Sequence, residues 1–129
     1  MRRAVTAAVL VTAGLAAPAR ADAPHVLVVR DGPFAGGAYA QCVVSPGVAD
    51  ESTVRYLLAA HAVASDPATE VGVGCWVEHR TTHEVYGYVG ATTTGMAAAA
   101  TGMVRAPAGV PTAFCVTVST RFRAATRCQ

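Results

Sequence analysis

Four cysteines, Cys42, Cys75, Cys115 and Cys128, constrain the fold of this 129-residue chain more than any other feature. An even cysteine count in a short chain that opens on an export signal implies a disulfide framework. No C-x-x-C pair occurs, so neither a zinc ribbon nor a thioredoxin-like redox motif is indicated. A domain of this size buries only about two thirds of its unfolded surface. Two bridges, each adding roughly 3–4 kcal/mol on the chain-entropy account, offset that deficit.

The residues around each cysteine suggest how they pair. In "EVGVGCWVEHR", Val71, Val73, Cys75 and Val77 alternate with Gly72, Gly74, Trp76 and Glu78, as the two faces of a strand do. Cys75 therefore belongs to an apolar face, where a thiol is inert unless bonded. Glu78 lies on the other face and His79 at the strand end, which argues against a Cys–His dyad. Ala40, Cys42 and Val44 form a second apolar face. Cys115 instead shares its side with Thr117 and Ser119, not with Phe114, Val116 and Val118. Two pairings fit. The sequential one joins Cys42 to Cys75, and Cys115 to Cys128 around a turn near Arg121-Phe122. The nested one joins Cys42 to Cys128 and Cys75 to Cys115. A disulfide needs Cβ atoms on compatible faces, which tilts the choice toward the sequential pairing.

The N-terminus reads as a secretory signal over residues 1–21. Arg2 and Arg3 precede an uncharged run from Ala4 to Ala17, and Ala19-Arg20-Ala21 fits the small-x-small cleavage rule. Cleavage before Asp22 leaves residues 22–129 as one secreted domain without a membrane attachment. Removal of Arg2, Arg3 and Arg20 turns the formal charge of +2 into a slight negative excess, 7 arginines against 8 acidic residues. No basic run survives, so nucleic acid is not an expected partner. The absence of Lys, Asn and Ile marks a GC-rich genome and removes any N-x-S/T glycosylation site.

The remaining segments read as strands. "HVLVVR" (His25–Arg30) and "AYAQCVV" (Ala38–Val44) are short apolar runs, separated by the turn-rich "DGPFAGG" and closed by a "SPG" turn at Ser45–Gly47. Glu51–Ser65 carries both helix and strand signals; the neighbouring strands favour a strand. Val85–Val104 has no charge, but its threonines and glycines argue against a membrane helix and for two β segments broken at Gly95. If Thr81–His83 form the hairpin loop, Trp76 falls opposite Tyr88 and Glu78 opposite Tyr86, with Val85 and Val89 facing the core. "AFCVTVSTRF" and "RAATRC" supply the last strands. Short strands with Gly/Pro punctuation predict an all-β, antiparallel β-sandwich, immunoglobulin-like in architecture, with two disulfides. An antibody-type domain is excluded, because Trp76 directly follows Cys75.

The Ala-rich signal, "AQCVV", "VGVGCWV", "FCVTVS" and the terminal "TRCQ" together resemble small secreted two-disulfide β-sandwich proteins of high-GC actinobacteria, a group with no assigned function. The resemblance covers nearly all of residues 22–129. It implies export and a β-sandwich, and it brings no site residues. The subtilisin-inhibitor and neocarzinostatin types do not fit, because their disulfides close short local loops. Here successive cysteines stand 33, 40 and 13 residues apart.

Catalytic signals are weak. Ser45, Ser52, Ser65 and Ser119 lie in no G-x-S-x-G, and no glycine pattern cradles phosphate. His79 and His83 with Glu78 or Glu84 have ligand chemistry but span a turn, so no metal or cofactor is expected. Trp76, Tyr86 and Tyr88, bordered by Glu78 and Arg80, form the candidate binding surface, since Trp, Tyr and Arg anchor interfaces. The expectation is a secreted, non-enzymatic module that binds a protein or small ligand or acts at the cell surface. The alternative is a small hydrolase-like enzyme using His and Glu within residues 78–84.

Overall fold

A computed structural model describes residues 23–31, 37–64, 70–121 and 123–129. The signal segment predicted over residues 1–21, most of the "DGPFAGG" turn and Phe122 lie outside the described residues.

The described chain is all-β. Its strands are β1 (His25–Arg30), β2 (Ala38–Ala49), β3 (Thr53–Ala64), β4 (Glu70–His79), β5 (Val85–Thr94), β6 (Ala97–Pro107), β7 (Thr112–Thr120) and β8 (Ala124–Cys128). They form two antiparallel four-stranded sheets, ordered β1-β2-β3-β6 and β5-β4-β7-β8. The two-sheet packing is that of immunoglobulin-type sandwiches; its own feature is a plain meander through β1, β2 and β3. No helix among the described residues is long and apolar enough to cross a membrane. The ambiguous segment is a strand, β3. It pairs along nearly its whole length with β2 and β6, and this pairing outweighs the helix preference of its leucines and alanines.

The inner faces differ in character. The first sheet lines the core with many alanines (Ala38, Ala40, Ala60, Ala62, Ala64, Ala98 and Ala106) set among Leu27, Val29, Val44, Leu58 and Val104. The second answers with Val71, Val73, Val77, Val89, Val116 and Val118. The alanines leave room for the larger side chains of the facing layer. Cys42 of β2 and Cys75 of β4 bridge the sheets, their Cα atoms 6.1 Å apart, both essentially sealed from solvent. Cys115 and Cys128 are bonded to each other, so the sequential pairing is the one formed. At one end of the core Phe114 packs edge-on against Tyr56 and stacks on His25.

One side of the sandwich is seamed. A Cβ on Gly87 would collide with Val104, and one on Gly102 with Val89, so the two glycines let β5 and β6 close against each other. On the opposite side β1 and β8 leave a cleft of about 560 Å³, lined by Val28, Val29, Arg30, Thr126 and Arg127. An ion pair of 3.1 Å joins Arg123 to the buried Asp31.

One predicted turn is displaced. β2 does not stop at Ser45–Gly47 but runs to Ala49, with its register slipping between Pro46 and Ala49. Pro46 has no N–H for the ladder, and a bulge absorbs it without ending the strand. The chain turns instead at Asp50, whose carboxylate accepts the backbone N–H groups of Ser52 and Thr53, each at 2.8 Å. Those bonds hold its carboxyl down at about 2.

Candidate functional site

The outward face of the second sheet carries the predicted surface. On β4, Gly72, Gly74, Trp76 and Glu78 point away from the core; β5 contributes Tyr88 opposite Trp76, as the register from the hairpin loop predicts. Trp76 and Tyr88 are stacked, with ring centroids 6.1 Å apart and planes 26° from parallel. The Tyr88 ring lies where side chains on Gly74 and Gly90 would be, so these glycines leave a trough that the ring fills. Tyr88 is still 59% exposed.

The register fails one residue further on. Glu78 pairs with Val85, not with Tyr86, because the ladder shifts between Val77 and Glu78 and leaves Tyr86 as the extra residue of a bulge. The parity of β5 is thereby inverted at its start. Tyr86 leaves the stripe and packs against the core, while Val85, expected inside, is exposed. Burial raises the Tyr86 phenol pKa above its ordinary value, and the negative charge of Glu84 adds to the effect. The exposed aromatic surface is therefore Trp76 with Tyr88.

Glu78 points outward and is nevertheless buried. The Trp76 indole Nε1 donates to its Oε1 at 2.8 Å, and the His83 Nδ1 lies 2.6 Å from its Oε2. Cys115 Sγ approaches Oε1 to 3.4 Å. The bonds from His83, then from Trp76, hold the carboxyl below the ordinary glutamate range; they outweigh burial, which acts the other way. His83 reaches Glu78 from the hairpin turn with a φ of 63°, in the left-handed region that histidine enters more readily than most residues.

The other predicted groups have separate duties. His79 Nδ1 accepts the backbone N–H groups of Thr81 and Thr82 at 3.1 and 3.2 Å, so it organises the turn. His79 and His83 thus engage different partners. Arg80 donates from Nη2 to the Thr112 carbonyl at 2.7 Å, tying the hairpin to the start of β7.

The sequence did not reveal the floor of this cluster. Pairing of β4 with β7 sets Cys115 directly beside Trp76, and pairing of β7 with β8 sets Cys128 beside Cys115. The second disulfide consequently lies on the outer face, against Glu78. The alternation of β7 already put Cys115 on the side of Thr117 and Ser119; only the strand order shows that Glu78 is its neighbour. The opposite outer face was also missed as a surface. Val26, Leu57 and Met103 are exposed there among Arg30, Arg55 and Arg105, with no acidic residue on its strands' outward positions.

Fold and site together define a small antiparallel β-sandwich with one disulfide between its sheets and one beneath an aromatic and carboxylate cluster. No protein-family model and no curated protein matches the chain.

Proposed function

We propose that the chain is an exported, non-enzymatic β-sandwich that binds a protein or small ligand, or acts at the cell surface, through the outer face of β5-β4-β7-β8. The observation that carries this reading is the Trp76–Tyr88 stack, an aromatic shelf set on a glycine-floored strand pair beside the exposed imidazole of His83. Two ring faces held in place by packing offer contact area with little conformational entropy to lose. Two disulfides in a small β domain support an oxidising, extracellular setting, as does the signal-like N-terminus.

The second reading is an enzyme in which Glu78 and His83 act as acid and base, and the observation in its favour is their 2.6 Å contact. Two features support binding over catalysis. Both Glu78 oxygens are already engaged, and the sulfur beside them is half of a disulfide, not a nucleophile. The cleft between β1 and β8 contains none of these groups.

The two readings separate in one experiment. The protein, the Tyr88→Ala variant and the Glu78→Gln variant are immobilised and exposed to culture medium and to a glycan array. Capture that is lost in Tyr88→Ala at unchanged melting temperature supports binding on the shelf. Hydrolysis of a captured component that is abolished by Glu78→Gln replaces it with the enzyme.

A further inference from the structure

Cys115 lies against Glu78 without a hydrogen bond between them. A disulfide sulfur carries no proton, so its 3.4 Å approach to Oε1 is a van der Waals contact. The same approach becomes attractive once a proton or a cation lies between the two atoms. Glu78, Cys115 and Cys128 each place a ligand atom within 4.8 Å of the others. The carboxylate is held from both sides, by Trp76 on Oε1 and His83 on Oε2, as the outer partners of a metal ligand hold it.

Access points the same way. The Cys42–Cys75 bridge is sealed between the sheets. Cys128 is an exposed residue on the edge strand β8, outside the core. We propose that Cys115–Cys128 is an exchangeable disulfide whose reduced form, with Glu78, binds a thiophilic divalent cation such as Zn²⁺.

The reductant is a dithiol. One of its thiolates attacks Cys128 Sγ, the bond to Cys115 breaks, and Cys115 leaves as a thiolate and takes up a proton. The second thiol of the reductant then displaces Cys128, which is also protonated. The reductant departs as a disulfide, having delivered two electrons and two protons. The cation displaces both thiol protons and is held by two thiolates and the Glu78 carboxylate, a donor set that suits zinc and leaves a fourth position to water. His83 is a positioning residue in this scheme.

The folded protein is treated with limiting dithiothreitol and alkylated, and the labelled peptides are mapped. Label on Cys115 and Cys128 alone is expected; opening of both bridges together, or of neither, overturns the proposal. Protein reduced in this way and freed of reductant under argon is then titrated with Co²⁺. Thiolate-to-cobalt absorption in the near ultraviolet, bleached by Zn²⁺, is expected only after reduction, and its absence overturns the cation site. Glu78→Gln should weaken Co²⁺ binding by about 10-fold or more. Should that variant fail to fold, His83→Asn, which keeps a residue suited to the left-handed turn, should weaken binding by a smaller factor while the oxidised protein melts almost unchanged. Unaltered affinity in the folded variants overturns the assignment of Glu78.

Discussion

The Cys42–Cys75 and Cys115–Cys128 bridges are the same bond in opposite surroundings. The first crosses from one sheet to the other within the apolar core. The second joins adjacent strands that are already paired in register, on an outer face, beside a buried carboxylate and Trp76. Mechanically the second adds little that the β7–β8 ladder does not already supply. The difference teaches that a disulfide's role is read from its neighbours: one is part of the core, the other is part of the candidate site.

The largest expected effect tests that contrast directly. Replacing Cys42 and Cys75 by alanine reopens a 33-residue loop, worth about 4 kcal/mol on the chain-entropy account, and leaves two cavities in the core. Urea denaturation should show most of the stability gone. The Cys115→Ala/Cys128→Ala variant reopens a 13-residue loop that the β7–β8 ladder already closes, and should lose less, about 1–3 kcal/mol. Equal losses would erase the distinction.

Next in size is Trp76→Ala, which removes half-buried ring area and one of the donors to Glu78. A loss of about 2–3 kcal/mol in the same assay is expected. Trp76→Phe isolates the indole N–H and should account for about half of it.

A smaller effect appears with acid. The Glu78 carboxyl is held below its ordinary value by His83 and Trp76. Its contribution to stability is therefore complete above the unfolded glutamate pKa, about 4.3, and is lost as the pH falls through the lower folded value. The protein's urea midpoint should drop between about pH 5 and pH 2, and Glu78→Gln should flatten that part of the profile. A profile unchanged in the variant would place the acid sensitivity elsewhere, Asp50 being the other carboxyl held low.

The smallest effect belongs to the shelf itself. Tyr88→Ala should shift stability by no more than about 0.5 kcal/mol, since the residue is 59% exposed. A loss of several kcal/mol would show that the ring is there to cover Gly74 and Gly90, and that the face is structural.

Much of this architecture was legible in the sequence, for a physical reason. The valine alternation of β4, the apolar face of Ala40, Cys42 and Val44, and the contrary facing of Cys115 each follow from the two-residue period of a strand. That period carried the strand assignments and tilted the cysteine pairing toward the one formed. It failed where one residue changes the count. The bulge at Tyr86 inverted the start of β5, and Pro46 extended β2 where a turn was expected. The burial of Glu78 was invisible for another reason. Alternation correctly turns it outward, but what covers it comes from the hairpin turn and from β7, whose place beside β4 is a matter of topology.

The seam between β5 and β6 has a consequence for how these molecules meet one another. β5 and β6 are edge strands too, but they pack against each other; the other two edges, β1 and β8, lie together on the opposite side, where Arg30 and Arg127 line the cleft between them. Exposed edges are where sheets of separate molecules join and grow into aggregates, and charge along them is a common deterrent. Here the β1–β8 flank carries like charges, so two copies approaching along it meet arginine against arginine.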